Sequence, residues 1–249
     1  IQAFGSEMIG VMPGKAEEDG PPASVMGINI TTLTYDDVEA ISKKNNVPHL
    51  VGAVGSSRGQ GALSWRANEY STTLNGTGFN YIEVEGGAIS QGRFFSSDEQ
   101  KGIARVLVLG STVKQELFGD SPAVGRQVKI NKKAFEVVGV MKERGTVGFQ
   151  DYDDMAFLPV TTMQKIILAV KHISLIRAKV DSQDNVEQTI EDITATIRAN
   201  HDIRDATGQS DDFTVRAAAQ AIEMLTAITS GLNFFLAAMA ALSLLVGGI

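Results

Sequence analysis

The chain has 249 residues, 43% hydrophobic and 20% charged, a globular composition long enough for one large domain or two modest ones. Its net charge of −7 opposes the clustered Lys and Arg that nucleic-acid phosphates or an anionic lipid surface require, so no nucleic-acid partner is expected. With no cysteine, disulfide frameworks, thiolate zinc sites and cysteine nucleophiles are excluded, and the chain suits an oxidising compartment.

In chain order, residues 7–12 (EMIGVM) form a short apolar run closed by the turn signal Pro13-Gly14. Residues 15–22 are polar, end in Gly-Pro-Pro and read as loop. Thr34-Tyr35-Asp36-Asp37 has the form of a capping box, with Thr34 as cap and Asp37 reaching back. Val38 and Ile41 follow at helical spacing, and Asn45-Asn46 with Pro48 end that helix. Strands are predicted at residues 50–56 and 65–74, joined by a glycine-rich loop at 58–61; Gly76-Thr77-Gly78 then breaks the pattern.

The middle third is punctuated by Gly86-Gly87, Gly92, Gly110, Gly119, Gly125 and Gly139 between short β-rich runs. Residues 105–109 (RVLVL) read as a strand, and Ser111 or Thr112 as the cap of a short helix with Val113 and Leu117 on one face. Residues 127–140 have the pattern of a hairpin turning near Asn131-Lys132-Lys133. A polar loop at 143–154 precedes an apolar run at 155–160 and a short helix with Met163, Ile166 and Ile167 inward.

Residues 172–180 (HISLIRAKV) alternate as a strand does. Asp184-Asn185-Val186-Glu187 repeats the capping form, and Val186, Ile190, Ile193 and Ile197 make the cleanest amphipathic stripe in the chain. Residues 213–216 close the layer. The fold class expected is α+β: a split βαβ layer from residues 1–80 and 170–217, interrupted by an inserted β-rich lobe at 81–169. Residues 218–249 follow as a stalk helix and the start of a membrane helix.

No charged residue occurs after Glu223. Ile222, Leu225, Ile228 and Leu232 share one face and are the expected stalk contacts. Gly231 is a candidate kink. From Phe234 the chain is apolar over about 24 Å of helix, short of the roughly 30 Å hydrocarbon core. This is the pattern of a membrane helix cut short, with Phe234, Phe235, Leu236, Met239, Leu242, Leu244, Leu245, Val246 and Ile249 expected in the membrane.

Catalytic, cofactor and metal sites find little support. Gly55-Ser56-Ser57-Arg58-Gly59 fits G-x-S-x-G, but no helix follows to strain and expose the serine. His49, His172 and His201 are far apart and form no HExxH pair. Asp151-Tyr152-Asp153-Asp154 lacks the spacing of a Ca²⁺ loop and reads as a solvated acidic turn. No GxxxxGK[ST] occurs, and Gly76-Thr77-Gly78 has no helix or lysine behind it, so nucleotide binding has no support.

A set of ordered segments resembles the periplasmic core domain of MacB-type ABC permeases. The opening FGSEMIGVMPG is similar to the stretch after their first membrane helix, with Glu7 in place of the usual Asn. Asp36-Asp37 opens the first helix as in that family. Asn75-Gly76-Thr77, residues 89–95 (ISQGRFF), Val108-Leu109-Gly110, Leu117-Phe118-Gly119, Pro122 with Gly125, and residues 135–140 follow in the family's order. Asp211-Asp212-Phe213-Thr214-Val215 and the terminal LLVGGI complete it.

The resemblance implies a porter-like lobe from the outer thirds and one membrane helix before Ile1, with three more counted from the tail onward. It further implies a homodimer, a periplasmic adaptor, an ABC ATPase domain or subunit, and drug, peptide or toxin efflux from the extracytoplasmic side of a cell membrane. Lipoprotein release, control of a cell-wall hydrolase, or a membrane-anchored binding or sensor module without an ATPase are the alternatives.

Overall fold

The computed structural model describes residues 6–15, 30–147, 150–205 and 207–247. Most of the loop expected at 15–22 lies outside them. Strand β1 (Met8–Pro13) buries alternate residues, Ile9 and Val11 among them. Helix α1 (Tyr35–Ile41) starts where the capping pattern places it: the Thr34 backbone N–H donates to Asp37 Oδ2 at 2.8 Å, and the Thr34 hydroxyl to the same oxygen at 3.2 Å. Its Val38 and Ile41 are buried.

β2 (Leu50–Trp65) departs from expectation, because it is one strand of 16 residues rather than a strand and a glycine-rich loop. β3 (Asn68–Thr77) pairs with it from Trp65↔Asn68 back to Ser57↔Gly76, so the turn falls on Arg66-Ala67. The glycine there answers to packing: a Cβ on Gly61 would lie 2.5 Å from Leu74 Cδ1 across the strand pair. Glycine inside a strand often marks such a close approach.

α2 (Tyr81–Glu85), β4 (Ile89–Gly92) and α3 (Ser97–Lys101) come next. α3 opens with a capping box between Ser96 and Glu99, and Arg93 grips both Glu99 oxygens at 2.7 Å. That guanidinium holds the Glu99 carboxyl down at about 2. β5 (Val106–Leu109) runs into α4 (Ser111–Phe118), whose N-cap is Gly110, not Ser111 or Thr112. The chain is still extended at Gly110, and no side chain caps the helix.

β6 (Gln127–Ile130) and β7 (Lys133–Met141) form the expected hairpin; Asn131 and Lys132 both take positive φ, 50° and 66°, as a two-residue turn of the primed kind requires. The polar loop holds a small hairpin of β8 (Thr146–Val147) and β9 (Gln150–Asp151). β10 (Met155–Pro159) leads into α5 (Val160–Thr162), which widens to a π-helical turn over Met163–Leu168.

β11 (Leu175–Val180) begins later than the alternation suggested, and His172 only bridges to Thr34. The capping form at Asp184 is also corrected. Ser182 accepts the Asp184 N–H at 3.3 Å and starts a 3-10 turn over Gln183–Asn185. α6 (Val186–Asn200) follows, burying Val186, Ile193 and Ile197. β12 (Phe213–Ala217) and α7 (Ala218–Gly247) end the described chain.

One large sheet runs in the order β12-β1-β11-β2-β3-β10-β5-β7-β4. Its first four strands are antiparallel, and α1 and α6 bury their apolar stripes with Ile9, Val11, Leu50, Ile176 and Phe213 in a shared cluster. β2 is long enough to pair with β11 by its first half and with β3 by its second. Beyond it, Leu63, Leu74, Leu107, Leu117, Phe135 and Met163 form a second cluster, and Val54, Tyr81, Phe95, Val108 and Phe157 a third. The tip of the β2–β3 hairpin thus serves the core of the middle third.

Candidate functional site

β12 ends at Ala217 and α7 begins at Ala218, with no residue between them. α7 touches β12 and β1, and its Gln220 side chain accepts the Ala217 N–H at 3.3 Å. Its 30 residues make a rod of about 45 Å. Leu232, Phe234, Phe235, Leu236 and Met239 are all exposed, from 49% at Met239 to 78% at Phe234. At 100° per residue Phe234 lies opposite the other four, so apolar surface wraps the helix rather than forming one stripe.

The backbone of Ile222, Leu225, Ile228, Leu242, Leu244, Leu245 and Val246 belongs to α7; their side chains, and all of Ile249, lie outside the described residues. Among the described residues, no helix is long and apolar enough to cross a membrane. The expectation of a transmembrane helix is corrected to that extent: the observed feature is a long helix with exposed apolar side chains between Leu232 and Met239.

Where β2 passes from one half of the sheet to the other, a buried charge cluster covers one face. Glu85, at the end of α2, is 3% exposed and its Oε2 lies 3.4 Å from Arg177 Nη1 of β11. Arg144 donates from Nη2 to the Glu85 backbone oxygen at 3.0 Å and stacks over Tyr152 at 4.1 Å. Burial pushes the Glu85 carboxyl up, against the pull of Arg177, Arg58 and Arg144. Burial and the neighbouring Arg177 charge lower Arg58. For Arg177, burial is outweighed by Glu85, Tyr152 and Tyr81, which raise it. One carboxylate therefore serves several guanidiniums in a place partly closed to water.

The other sequence candidates have ordinary duties. Ser57 sits inside β2, with its hydroxyl donating to the His172 carbonyl at 3.3 Å, so it is no nucleophile elbow. Asp153 accepts the Arg144 and Gly145 backbone amides, Asp151 those of Asp153 and Asp154, and Asp154 the Thr72 hydroxyl. The acidic turn spends its carboxylates on its own fold. His49 pairs with Asp181 at 3.0 Å, whereas His201 sits between Asp37 and Asp212, far from the other two histidines in sequence. An open groove of about 450 Å³ between α1 and α6, lined by Lys43, Asn46, Asp192 and small side chains, holds no nucleophile with a base.

Sequence reasoning missed the Glu85 cluster because its members come from five separate segments. Arg177 alternates with inward Ile176 and Ala178, which marks it as solvent-facing unless a second layer covers that face. α2 is that layer.

The MacB-like periplasmic core domain family matches residues 1–196. The chain is 32% identical over its whole length to the macrolide export ATP-binding/permease protein MacB of Wolinella succinogenes, and 33% identical to the MacB protein of Marinobacter nauticus. It spans 36% of the length of each. The periplasmic region of MacB from Actinobacillus actinomycetemcomitans superposes with a TM-score of 0.72 at 20% identity, over 90% of this chain and 94% of that one. The extracellular domain of the transporter YknZ from Gram-positive bacteria does so at 0.65 and 17% identity, over 84% and 99%. Matched by the family over most of its length and sharing this fold, the chain belongs to the MacB-like periplasmic core domain family.

Proposed function

We propose that this chain is the extracytoplasmic domain of an ABC transporter permease, and that it carries ATP-driven motion of membrane helices outward to an export path. The observation that supports this reading best is the direct run of β12 into α7, without a loop. A displacement of the helix then reaches the sheet through rigid elements, which coupling between distant sites requires. The exposed apolar side chains of Leu232, Phe234, Phe235, Leu236 and Met239 support a reading in which this part of α7 lies towards an apolar phase or partner.

On the same reading the ATPase lies on another domain or subunit, since the relatives are named ATP-binding/permease proteins and the chain spans about a third of their length. The α1–α6 layer is the porter-like lobe, and residues 81–169 form the inserted lobe that meets an adaptor or a second copy. The cargo is a macrolide-like drug, peptide or toxin.

In the parent permease, inserting Gly-Gly between Ala217 and Ala218 is expected to cut efflux by about tenfold or more while ATP hydrolysis persists, because the coupling and not the engine is broken. Drug-export assays in vesicles check this. Undiminished efflux with the insertion contradicts the reading.

A further inference from the structure

His201 closes the C-terminal end of α6, and its ring is 11% exposed. Nδ1 lies 2.8 Å from Asp212 Oδ1, and Nε2 lies 3.1 Å from Asp37 Oδ1. Asp37 is fully buried in the first turn of α1, where its carboxylate also accepts the Thr34 N–H, the Thr34 hydroxyl and the Asn200 amide. Asp212 directly precedes β12, and its backbone oxygen accepts the Gly14 N–H and the Thr32 hydroxyl, each at 2.7 Å. The Phe213 ring meets the imidazole edge-on at 5.9 Å. Three elements therefore meet at one imidazole, α1 from 164 positions away.

A neutral imidazole has one N–H and one lone pair, so it can satisfy only one of two carboxylates; the imidazolium satisfies both. Asp37 already collects three other donors, which leaves the ring as the group that must supply the proton on its side. We propose that Asp37, His201 and Asp212 form a proton-held clasp that fastens β12, and with it the root of α7, to the α1–α6 layer. Charge on the ring closes the clasp, and loss of that charge frees the more exposed bond to Asp212.

The surroundings agree with this assignment. Burial alone lowers the His201 imidazole, but hydrogen bonds and charge from Asp212 and Asp37 outweigh it and raise the group. Those two carboxylates face the ring from α1 and from the segment before β12. On α6 itself, Arg198 is committed to Asp211 through two bonds of 2.7 Å. In the following loop, Asp205 takes the Thr207 and Ser210 amides, and Lys15 after β1 donates to the Gln209 carbonyl. A folded-state value raised above the ordinary one of about 6.5 gives stability that is complete below that pH and lost as pH rises through the folded value. The clasp therefore loosens on the alkaline side. It rests on the geometry of the joint and not on what α7 drives.

Nitrogen NMR of the imidazoles and amide hydrogen exchange of the 249-residue chain test it. The His201 ring is expected to titrate above the ordinary imidazole value, with both nitrogens carrying protons below that titration. As pH passes that titration, protection of the amides at 213–217, corrected for intrinsic exchange, should fall by about tenfold, the worth of one charge-assisted hydrogen bond. Asp212→Asn should lower the His201 titration and remove the step in β12 while β11 stays protected. A His201 ring that titrates at or below the ordinary imidazole value overturns the proposal. So does β12 protection that is flat across the titration in the unaltered chain, a result that needs no variant to fold.

Discussion

Gly139→Val is expected to destabilise the chain by about 4 kcal/mol or more, enough to unfold the middle third under conditions where the parent chain is native. Gly139 lies in β7, paired with Gly92 of β4 on one side and Val108 of β5 on the other. A Cβ there would sit 2.2 Å from the Arg93 carbonyl oxygen, 3.0 Å from its carbon and 3.2 Å from its nitrogen. All three are backbone atoms, so no rotamer change relieves the clash, and β4 must part from β7. Parting also breaks the bond from the Arg93 N–H to the Val138 oxygen, 3.0 Å long, which leaves a buried acceptor unpaired. Urea unfolding followed by the fluorescence of Trp65, which packs on Phe118 of the same cluster, reads the loss. A change below about 1 kcal/mol would show that the two strands approach less closely than described.

Glu85→Ala should be the second most damaging change, costing about 3 kcal/mol, at the lower end of the range for breaking a buried ion pair. The lower end applies because the Arg177 side chain keeps 32% exposure, so water takes up part of its charge. Removing the carboxylate leaves Arg58 and Arg177 without their acidic partner, and the Arg177 charge already disfavours that of Arg58. The paired replacement of Glu85 and Arg177 by Met should cost less, because the guanidinium that meets the carboxylate directly is removed with it and Arg58 loses its repelling neighbour. Chemical denaturation of the two variants side by side checks this. If the double variant is the worse of the two, the cluster contributes net stability, and the reasoning from desolvation fails.

The elements that were legible in the sequence carry local signals. The capping box at Thr34 and Asp37, the stripe of Val186, Ile193 and Ile197, and the turn at Asn131-Lys132 each specify their structure within a few residues. β2 was not legible, because Gly59 and Gly61 carry the signature of a loop, while the reasons for glycine lie in Met163 and Leu168 of the π-helical turn and in Leu74 of the neighbouring strand. The apolar character of α7 could be read directly, but not its unbroken junction with β12. The Glu85 cluster and the His201 clasp were hidden for one shared reason. Their partners are brought together by sheet order, as when Asp37 meets a ring 164 positions later. Spacing along the chain holds no record of such meetings.

The most direct measurement of the central claim uses the absence of cysteine in this chain. Spin labels placed at Leu232→Cys on α7 and Val124→Cys on the surface of the middle third, both exposed positions, report one distance in the intact permease. The account predicts that this distance takes two values, one without nucleotide and another when ATP is trapped at the ATPase. A single distance, identical in both states while the transporter remains active, would contradict motion passing through this domain.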